Sequence, residues 1–242
     1  MFSYDLEQAK KLAYTENDYL SIGERSEHSL HRIIKYMLDP TSLNHEKKLS
    51  GKVVDVYFDN HIYEIQTKAF HNLRSKLETL LPNYCVTIVY PCIIKKTITK
   101  FSEDGVVLFS RKSPKKGKAL NSLLELYRIK FFLDNPNLSI KIICLDVDEY
   151  QQVVPRSFKN RRGKIRIDQV PTKIVDIIDI NKKEDYLKII PYIENEFKLA
   201  DYAKLMKVNA KQASYMFSVI RYLDLVEQIG KDGKAYIYKF KK

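Results

Sequence analysis

The most informative segment of the sequence is residues 52–68, which read KVVDVYFDNHIYEIQTK. Its first half, from Val53 to Phe58, is β-branched and aromatic apart from Asp55, a composition typical of a strand. Asp59-Asn60 is a turn dipeptide. The pattern therefore predicts a β-hairpin whose second strand runs from about His61 to Lys68.

One face of this predicted hairpin is polar. Side chains alternate between the two faces of a strand, so Glu64, Gln66 and Lys68 are expected on the same face, with Asp55 on the neighbouring strand. Mg²⁺ is held in proteins by one or two carboxylates together with carbonyl-type oxygens, water and phosphate oxygens. The pattern indicates a site for a hard cation and a phosphodiester. An ordinary edge hairpin with one solvated face has the same alternation, so that interpretation stays open.

The same residues resemble a known family. Asp55, ten intervening residues and then Gln66-Thr67-Lys68 after an apolar strand look like the PD-(D/E)xK nuclease superfamily, in the QxK form of Mrr-like restriction endonucleases. Members tend to carry a glutamate on the helix before the hairpin, and residues 27–34, EHSLHRII, are similar to that element. The resemblance covers roughly residues 23–94. Val54 replaces the family's proline and Gln66 its usual acid, so a relative that has lost catalysis also fits.

The resemblance implies a role for each of these side chains. Asp55 and the amide oxygen of Gln66 are expected to coordinate Mg²⁺, for which Mn²⁺ should substitute. Glu64, also a metal-site residue, and Glu27 are expected to orient metal-bound water or a second ion. Lys68 is expected to activate the attacking water or to stabilise the charge that develops on the scissile phosphate. Taken without the hairpin, Glu27 reads as a carboxylate favoured in the first turn of a helix by the helix dipole.

Composition bounds the class of protein. The 242-residue chain has a formal net charge of +12, and hydrophobic residues make up 45% of it, which is typical of a globular protein with a polyanionic partner such as nucleic acid. A genome that favours lysine codons would explain part of the charge. Its 3 cysteines have no C-x-x-C spacing, so neither a disulfide framework nor a zinc knuckle is indicated. The sequence has neither a membrane-length apolar run nor a signal-peptide pattern, so a cytoplasmic location without membrane contact is expected.

Downstream segments predict the rest of the core. Residues 69–81 have apolar side chains at helical spacing, and residues 84–90 are nearly all apolar, as in a strand covered on both faces. Strand, helix and buried strand in that order predict a crossover helix packed on a sheet. Residues 119–133 predict a further helix and residues 140–147 a further strand. The predicted fold class is α/β, a restriction endonuclease-like mixed sheet flanked by helices over residues 1–180.

Two basic clusters lie within this unit. The first follows a predicted hairpin at Asp104-Gly105 and is expected to contact backbone phosphates without reading sequence. The second is the densest in the chain and suits a nucleic-acid groove. A solvated loop has the same composition as the first cluster, and a mobile linker between domains has the same composition as the second, so both alternatives stay open. The predicted DNA-binding residues are Arg111, Lys112, Lys115 and Lys116 in the first basic cluster, and Arg156, Lys159, Arg161, Arg162 and Lys164 in the second.

Residues 181–242 follow a different pattern, which resembles a winged helix-turn-helix domain. Three helix-like segments, at 183–193, 199–207 and 209–223, precede two strands around a Gly-Lys-Asp-Gly turn. The third helix is expected to meet base edges, and the wing to reach phosphate. A winged helix used for protein–protein contact or dimerisation has the same pattern. The predicted DNA-binding residues here are Lys211, Gln212, Tyr215 and Arg221 on the helix, with Lys231 and Lys234 in the wing.

Together these features predict a Mg²⁺-dependent DNA endonuclease, restriction-like, that a winged helix places on double-stranded DNA. A structure-selective repair or junction nuclease is the alternative within the enzyme class. Outside that class, the alternative is a non-catalytic DNA-binding regulator that keeps the nuclease fold. Double-strand cleavage generally calls for two active sites, so a homodimer is an expectation from the chemistry rather than from any residue.

Overall fold

The computed structural model describes residues 5–15, 29–156 and 163–241. It is a mixed α/β structure in which a large mixed sheet is flanked by helices. In the described residues the α-helices are α1 Leu6–Thr15, α2 Ser29–Leu38, α3 Arg74–Leu80, α4 Ser122–Leu126, α5 Leu199–Met206 and α6 Ala210–Tyr222. The strands are β1 His45–Leu49, β2 Lys52–Phe58, β3 His61–Ile65, β4 Cys85–Phe101, β5 Val107–Lys112, β6 Leu138–Val153, β7 Lys164–Ile180, β8 Phe197–Lys198, β9 Val226–Asp232 and β10 Ala235–Phe240.

The large sheet begins with the predicted hairpin. Its strand order is β1-β2-β3-β4-β6-β7, with β5 paired to β4. β2 and β3 are antiparallel, and the turn between them places Asp59 and Asn60 at φ +51° and +57°. Aspartate and asparagine tolerate this left-handed conformation, which matches the twist of the two flanking strands. The hairpin prediction is confirmed.

The second strand of the hairpin is shorter than predicted. β3 ends at Ile65, and Thr67 and Lys68 lie exposed in a bend. Ala69 then adopts a left-handed φ of +59° and starts a 3-10 turn at Phe70–Leu73. The chain leaves the extended conformation because it must turn into this helical segment. The prediction that the strand continues to Lys68 is wrong, so alternation no longer places Lys68 on the face of Glu64.

The predicted crossover is present between β3 and β4. The Phe70–Leu73 turn and α3 separate two strands that are neighbours in the sheet, and Phe70, Leu77 and Leu80 are fully buried. β4 runs well beyond the predicted 84–90 segment. Its outer half pairs with β5, which confirms the hairpin predicted at Asp104-Gly105.

Two other segments differ from the sequence-based expectation. The helix predicted at 119–133 is divided into a 3-10 turn at Ala119–Asn121, then α4, then a 3-10 segment at Tyr127–Phe132. Ile129 has non-helical angles of φ −123° and ψ 19°. β7 was not predicted, and it contains Pro171. As the last strand in the sheet order, it can accommodate a proline at an edge.

The chain divides into two compact units. The first comprises Met1–Ile65, Pro91–Lys118 and Ile143–Ile177, and the second comprises Gln66–Tyr90, Ala119–Ile142 and Ile178–Lys242. In the first unit, α2 buries Ile33, Ile34 and Met37. In the second, an aromatic cluster at the carboxyl-terminal end is centred on Phe197 and Tyr202, whose rings lie 5.0 Å apart. No helix in the described ranges is long and apolar enough to span a membrane.

The carboxyl-terminal segment forms its own sheet, in the order β8-β10-β9. α5 and α6 match the second and third predicted helices, while the segment predicted as a helix at 183–193 is only a 3-10 turn at Lys183–Lys188. Asn209 caps α6, because its side chain accepts a hydrogen bond from the Gln212 amide at 2.9 Å. Asparagine favours this position because it satisfies an amide at the start of the helix.

Candidate active site

Two carboxylates lie opposite each other on β2 and β3. The two strands pair Val56 with Tyr63 and Tyr57 with Ile62, and the same register places Asp55 opposite Glu64. Residues directly opposite in an antiparallel pair have their side chains on one face, a few ångströms apart. The Asp55 amide also donates to Glu64 Oε1 at 3.3 Å. The two acids therefore form a pair, which we call the Asp55–Glu64 pair.

The surroundings of the Asp55–Glu64 pair fix its geometry. The Ile65 amide donates to Asp55 Oδ2 at 2.7 Å, and His31 Nε2 lies 3.3 Å from the same oxygen. The side chains of His31 and Asp55 are 28% and 21% exposed, whereas Glu64 is only 3% exposed. Solvent therefore reaches Asp55 and His31, while the Glu64 carboxylate lies behind them.

Helix α2 brings His31 to this position and is held by polar contacts along its length. At its first residue, Ser29 donates to Asp168 through both its amide, at 3.0 Å, and its hydroxyl. One turn beyond His31, the buried Lys35 pairs with Glu46 at 2.8 Å. No functional role was predicted for Ser29, Lys35, Glu46 or Asp168. The sequence contains one indication that His31 and Lys35 act on the same side of α2. They are four residues apart, and residues four apart share one face of a helix.

The other predicted catalytic residues are Glu27, Gln66 and Lys68. Glu27 lies outside the described residues. Gln66 and Lys68 belong to the second compact unit, where the Gln66 side-chain amide donates to the Lys68 carbonyl at 2.6 Å. Their roles stay predictions of the resemblance.

The donor atoms of the Asp55–Glu64 pair suit a hard cation. Mg²⁺ needs only one or two carboxylates from the protein, because water and substrate phosphate oxygens complete its coordination. Across the residues described, no group of three or more His, Cys, Asp or Glu side chains converges as a metal cage would require. The carboxylate oxygens of the pair are donors of the type that Mg²⁺ takes in proteins.

Comparison with known proteins places this site inside a recognised family region. The model of a domain of unknown function matches residues 28–181, which include α2 and the Asp55–Glu64 pair. The chain belongs to the DUF8091 family. An uncharacterized protein of Treponema pallidum (strain Nichols) is 33% identical over 159 residues, covering 65% of this chain, and the chain spans 62% of that relative's length. No solved structure matches.

The DUF8091 region also carries the first basic cluster on its surface. Arg111 and Lys112 are exposed on β5, and Lys115 and Lys116 are exposed in the loop that follows. In the second cluster, Arg156 and Lys164 are exposed, and Lys164 also donates to Gln151 Oε1 at 2.9 Å. The remaining predicted members, Lys159, Arg161 and Arg162, lie outside the described residues.

Beyond the DUF8091 region, the predicted contact residues of α6 differ in accessibility. Lys211 and Arg221 are exposed, while Gln212 is used in the cap of the helix. The Tyr215 ring stacks on Tyr127 with a centroid separation of 4.7 Å. One face of this ring is therefore covered, and Tyr215 cannot present it to a base in this arrangement.

The same covered side of α6 continues along the helix. Lys130 Nζ donates to Ser218 Oγ at 3.0 Å, and the Tyr222 hydroxyl donates to Asp134 Oδ1 at 3.0 Å. In the predicted wing, Lys231 and Lys234 are exposed, with Lys231 Nζ 4.8 Å from the centre of the Tyr236 ring. The wing cations are accessible, whereas the covered side of α6 is not.

Proposed function

We propose that this chain is a metal-dependent DNA endonuclease with a restriction endonuclease-like core and a carboxyl-terminal winged helix. The observation that carries the proposal is the Asp55–Glu64 pair, two carboxylates directly opposite each other with His31 beside them. The PD-(D/E)xK resemblance implies Asp55 and Gln66 as metal ligands with Glu64 beside the metal, so the pair supplies two of these three expected residues. The mixed sheet flanked by helices agrees with the same fold class.

Asp55 and Glu64 would hold Mg²⁺, or Mn²⁺ in its place, through hard carboxylate oxygens. When bound, such an ion polarises the scissile phosphate and lowers the pKa of coordinated water. The chain's contribution is to orient the donors. The Ile65 amide fixes one oxygen of Asp55, burial restricts Glu64, and His31 steadies the Asp55 carboxylate from the solvent side.

The charge of the protein supports DNA as the substrate. A net charge of +12 and the exposed cations of the first basic cluster favour a polyanion, whose phosphates dominate such binding and make it salt-dependent. The β8-β10-β9 sheet with α5, α6 and a cationic β9–β10 hairpin agrees with the order of a winged helix. In that role the wing residues Lys231 and Lys234 would contact phosphate.

Plasmid nicking over a Mg²⁺ titration tests the proposal. The wild-type chain should nick and linearise supercoiled DNA, and Asp55→Asn or Glu64→Gln should reduce the rate by at least ~100-fold, as loss of an electrostatic catalytic group does. Asp59→Asn is the matched control, because this exposed turn carboxylate lies outside the pair. Gln66→Ala and Lys68→Ala test the two roles that the resemblance implies.

Other outcomes separate the alternatives. Salt-dependent DNA binding by the wild type with no nicking at any Mg²⁺ or Mn²⁺ concentration would refute the enzyme and leave a non-catalytic regulator. Preference for branched over linear duplexes would identify a structure-selective nuclease. Sedimentation of the protein on DNA would test the homodimer expected for double-strand cleavage.

A further inference from the structure

A chain of polar contacts crosses one face of the large sheet, away from the proposed active site. It runs over four strands, because the outer part of β4 lies between β5 and β6, and β7 follows β6. On this face Glu149 of β6 accepts hydrogen bonds from Lys96 of β4 and Gln169 of β7, both at 2.7 Å. Asp168, next to Gln169 in sequence, contacts Ser29 instead. Since neighbouring side chains on a strand point to opposite faces, α2 lies on the other face of the sheet.

Three cations on this face are each held by a buried polar side chain. The pairs are Lys96 with Glu149 at 2.7 Å, Lys164 with Gln151 at 2.9 Å, and Arg166 with Gln169 at 3.0 Å. The three acceptor residues are between 4% and 7% exposed, whereas Lys164 and Arg166 are exposed and the Lys96 side chain is 27% exposed. Lysine and arginine have several N–H donors, so donors remain for a ligand. Cations that are already oriented lose less entropy when they bind phosphate.

An exposed aromatic ring joins the same face at β5. Lys100 pairs directly with Phe109 across β4 and β5, and Lys100 is four residues from Lys96, so alternation puts these side chains on one face. Phe109 is 39% exposed, and the Arg111 guanidinium lies 5.7 Å and the Lys100 ammonium 6.0 Å from the centre of its ring. We call this surface the cationic band. Its members are Lys96, Lys100, Phe109, Arg111, Lys164 and Arg166.

The cationic band suits a flexible polyanion with unpaired bases. Five cations meet along it, together with one acid, Glu149, which is already paired with Lys96. Adjacent strands are about 5 Å apart, so four strands span roughly 15 Å, enough for a few nucleotides. Proteins hold single strands by combining cations along the backbone with aromatic rings on which bases stack. In a duplex the bases are stacked on one another and offer no free face to Phe109.

We infer that the cationic band binds single-stranded DNA, with a base on Phe109 and the backbone crossing the cations toward β7. This inference rests on the proposed function, because it takes DNA as the partner. It deepens that proposal, since it gives the nuclease substrates that contain unpaired segments. A second copy of this chain is a poorer occupant, because it would bring the same excess of cations to this face.

Fluorescence anisotropy tests the inference, with EDTA replacing divalent ions so that binding is measured without cleavage. The probes are a labelled oligothymidine of about 12 nucleotides and a duplex of the same length. Phe109→Ala should weaken binding of the oligothymidine about tenfold, through loss of one stacked base, and leave duplex affinity unchanged. The matched control is Phe131→Ala, because this ring is also exposed and has the Lys130 ammonium 5.0 Å from its centre. It should bind as the wild type does.

A second pair of variants tests the face of the sheet. Arg111 and Lys112 are adjacent exposed cations on β5, but alternation places only Arg111 in the cationic band. Arg111→Gln should reduce the slope of log K against log salt by roughly 0.7 for the oligothymidine, as loss of one phosphate contact does. Lys112→Gln should leave that slope unchanged.

The remaining outcomes separate this inference from the proposed function. Unchanged oligothymidine affinity in Phe109→Ala, with an unchanged circular dichroism spectrum, would overturn the inference and leave plasmid nicking as evidence for the nuclease. Equal losses of single-strand and duplex affinity in that variant, or equal slopes in Arg111→Gln and Lys112→Gln, would overturn it as well. Single-strand binding that depends on Phe109 in a chain that nicks no plasmid would support the inference and refute the enzyme.

Discussion

Replacement of one buried carboxylate should destabilise the first compact unit strongly. Glu149 on β6 is 4% exposed. Its Oε2 accepts hydrogen bonds at 2.7 Å from Lys96 on β4 and from Gln169 on β7, and its Oε1 accepts one from Gln151. The acid therefore links three neighbouring strands of the sheet through one charged group.

The magnitude follows from these contacts. A hydrogen bond to a charged group contributes about 1.5–3 kcal/mol, and removal of one partner from a buried ion pair costs about 3–5 kcal/mol. Glu149→Gln keeps the shape and one acceptor oxygen, and the Lys96 side chain is 27% exposed, so water can partly compensate its ammonium. We therefore expect a loss of about 3 kcal/mol at neutral pH, which for a chain of this size lowers Tm by roughly 6–12 °C.

The effect should depend on pH in a defined direction. Burial by itself would raise the pKa of Glu149, but the hydrogen bonds from Lys96, Gln151 and Gln169 outweigh burial and hold that pKa below its ordinary value of 4.5. A carboxyl whose pKa is lowered on folding stabilises the protein above its unfolded pKa. This stabilisation is lost as the pH falls through the folded pKa. The difference between wild type and Glu149→Gln should therefore shrink below about pH 4.5.

Urea denaturation followed by circular dichroism, at pH 7 and again at the lowest pH where both proteins fold, measures this difference. Glu103→Gln, at the exposed turn of the β4–β5 hairpin, is the control and should remain within about 0.5 kcal/mol of wild type. Equal stability of Glu149→Gln and wild type at pH 7 would refute the argument. So would a difference that persists undiminished at low pH.

Three further changes have defined outcomes. Asn209→Ala removes the cap of α6 and should cost about 1 kcal/mol in thermal denaturation, whereas Asn209→Ser should not. Asp168→Asn weakens the hydrogen bonds that hold the start of α2 and should slow plasmid nicking about tenfold, because His31 is misplaced. DNA affinity in EDTA should not change. An unaltered nicking rate would show that the position of α2 does not matter for catalysis. A double-mutant cycle of Tyr127→Ala and Tyr215→Ala should give a coupling of about 1 kcal/mol in stability, and additive effects would show that the stacked rings do not interact.

The hairpin was predictable because its signals are local. The Asp59-Asn60 turn and the β-branched run before it decide both the conformation and the register, and the register alone puts Asp55 opposite Glu64. The end of β3 was not predictable in the same way. Alternation of polar and apolar residues continues through Gln66 and Lys68, but the chain bends because a helical segment follows.

The partners of the Asp55–Glu64 pair depend on long-range packing. His31 reaches Asp55 only because α2 packs against the β2–β3 hairpin, and α2 is anchored by Asp168, which is 139 residues from Ser29 in sequence. The sequence offers a histidine on an amphipathic helix, which is compatible with many environments. Only the assembled sheet, which includes the unpredicted strand β7, brings Asp168 to the start of that helix.

The DNA contacts predicted for α6 also depend on long-range packing. The resemblance to a winged helix-turn-helix domain assigned residues of this helix to contacts with base edges. In the second unit, residues 127–134 cover one side of α6, through Tyr215, Ser218 and Tyr222. Lys211, Ser214 and Arg221 remain exposed, so the helix in this arrangement offers cations for phosphate but few groups for base edges. Any base recognition by this protein must therefore come from another element or require α6 to leave residues 127–134.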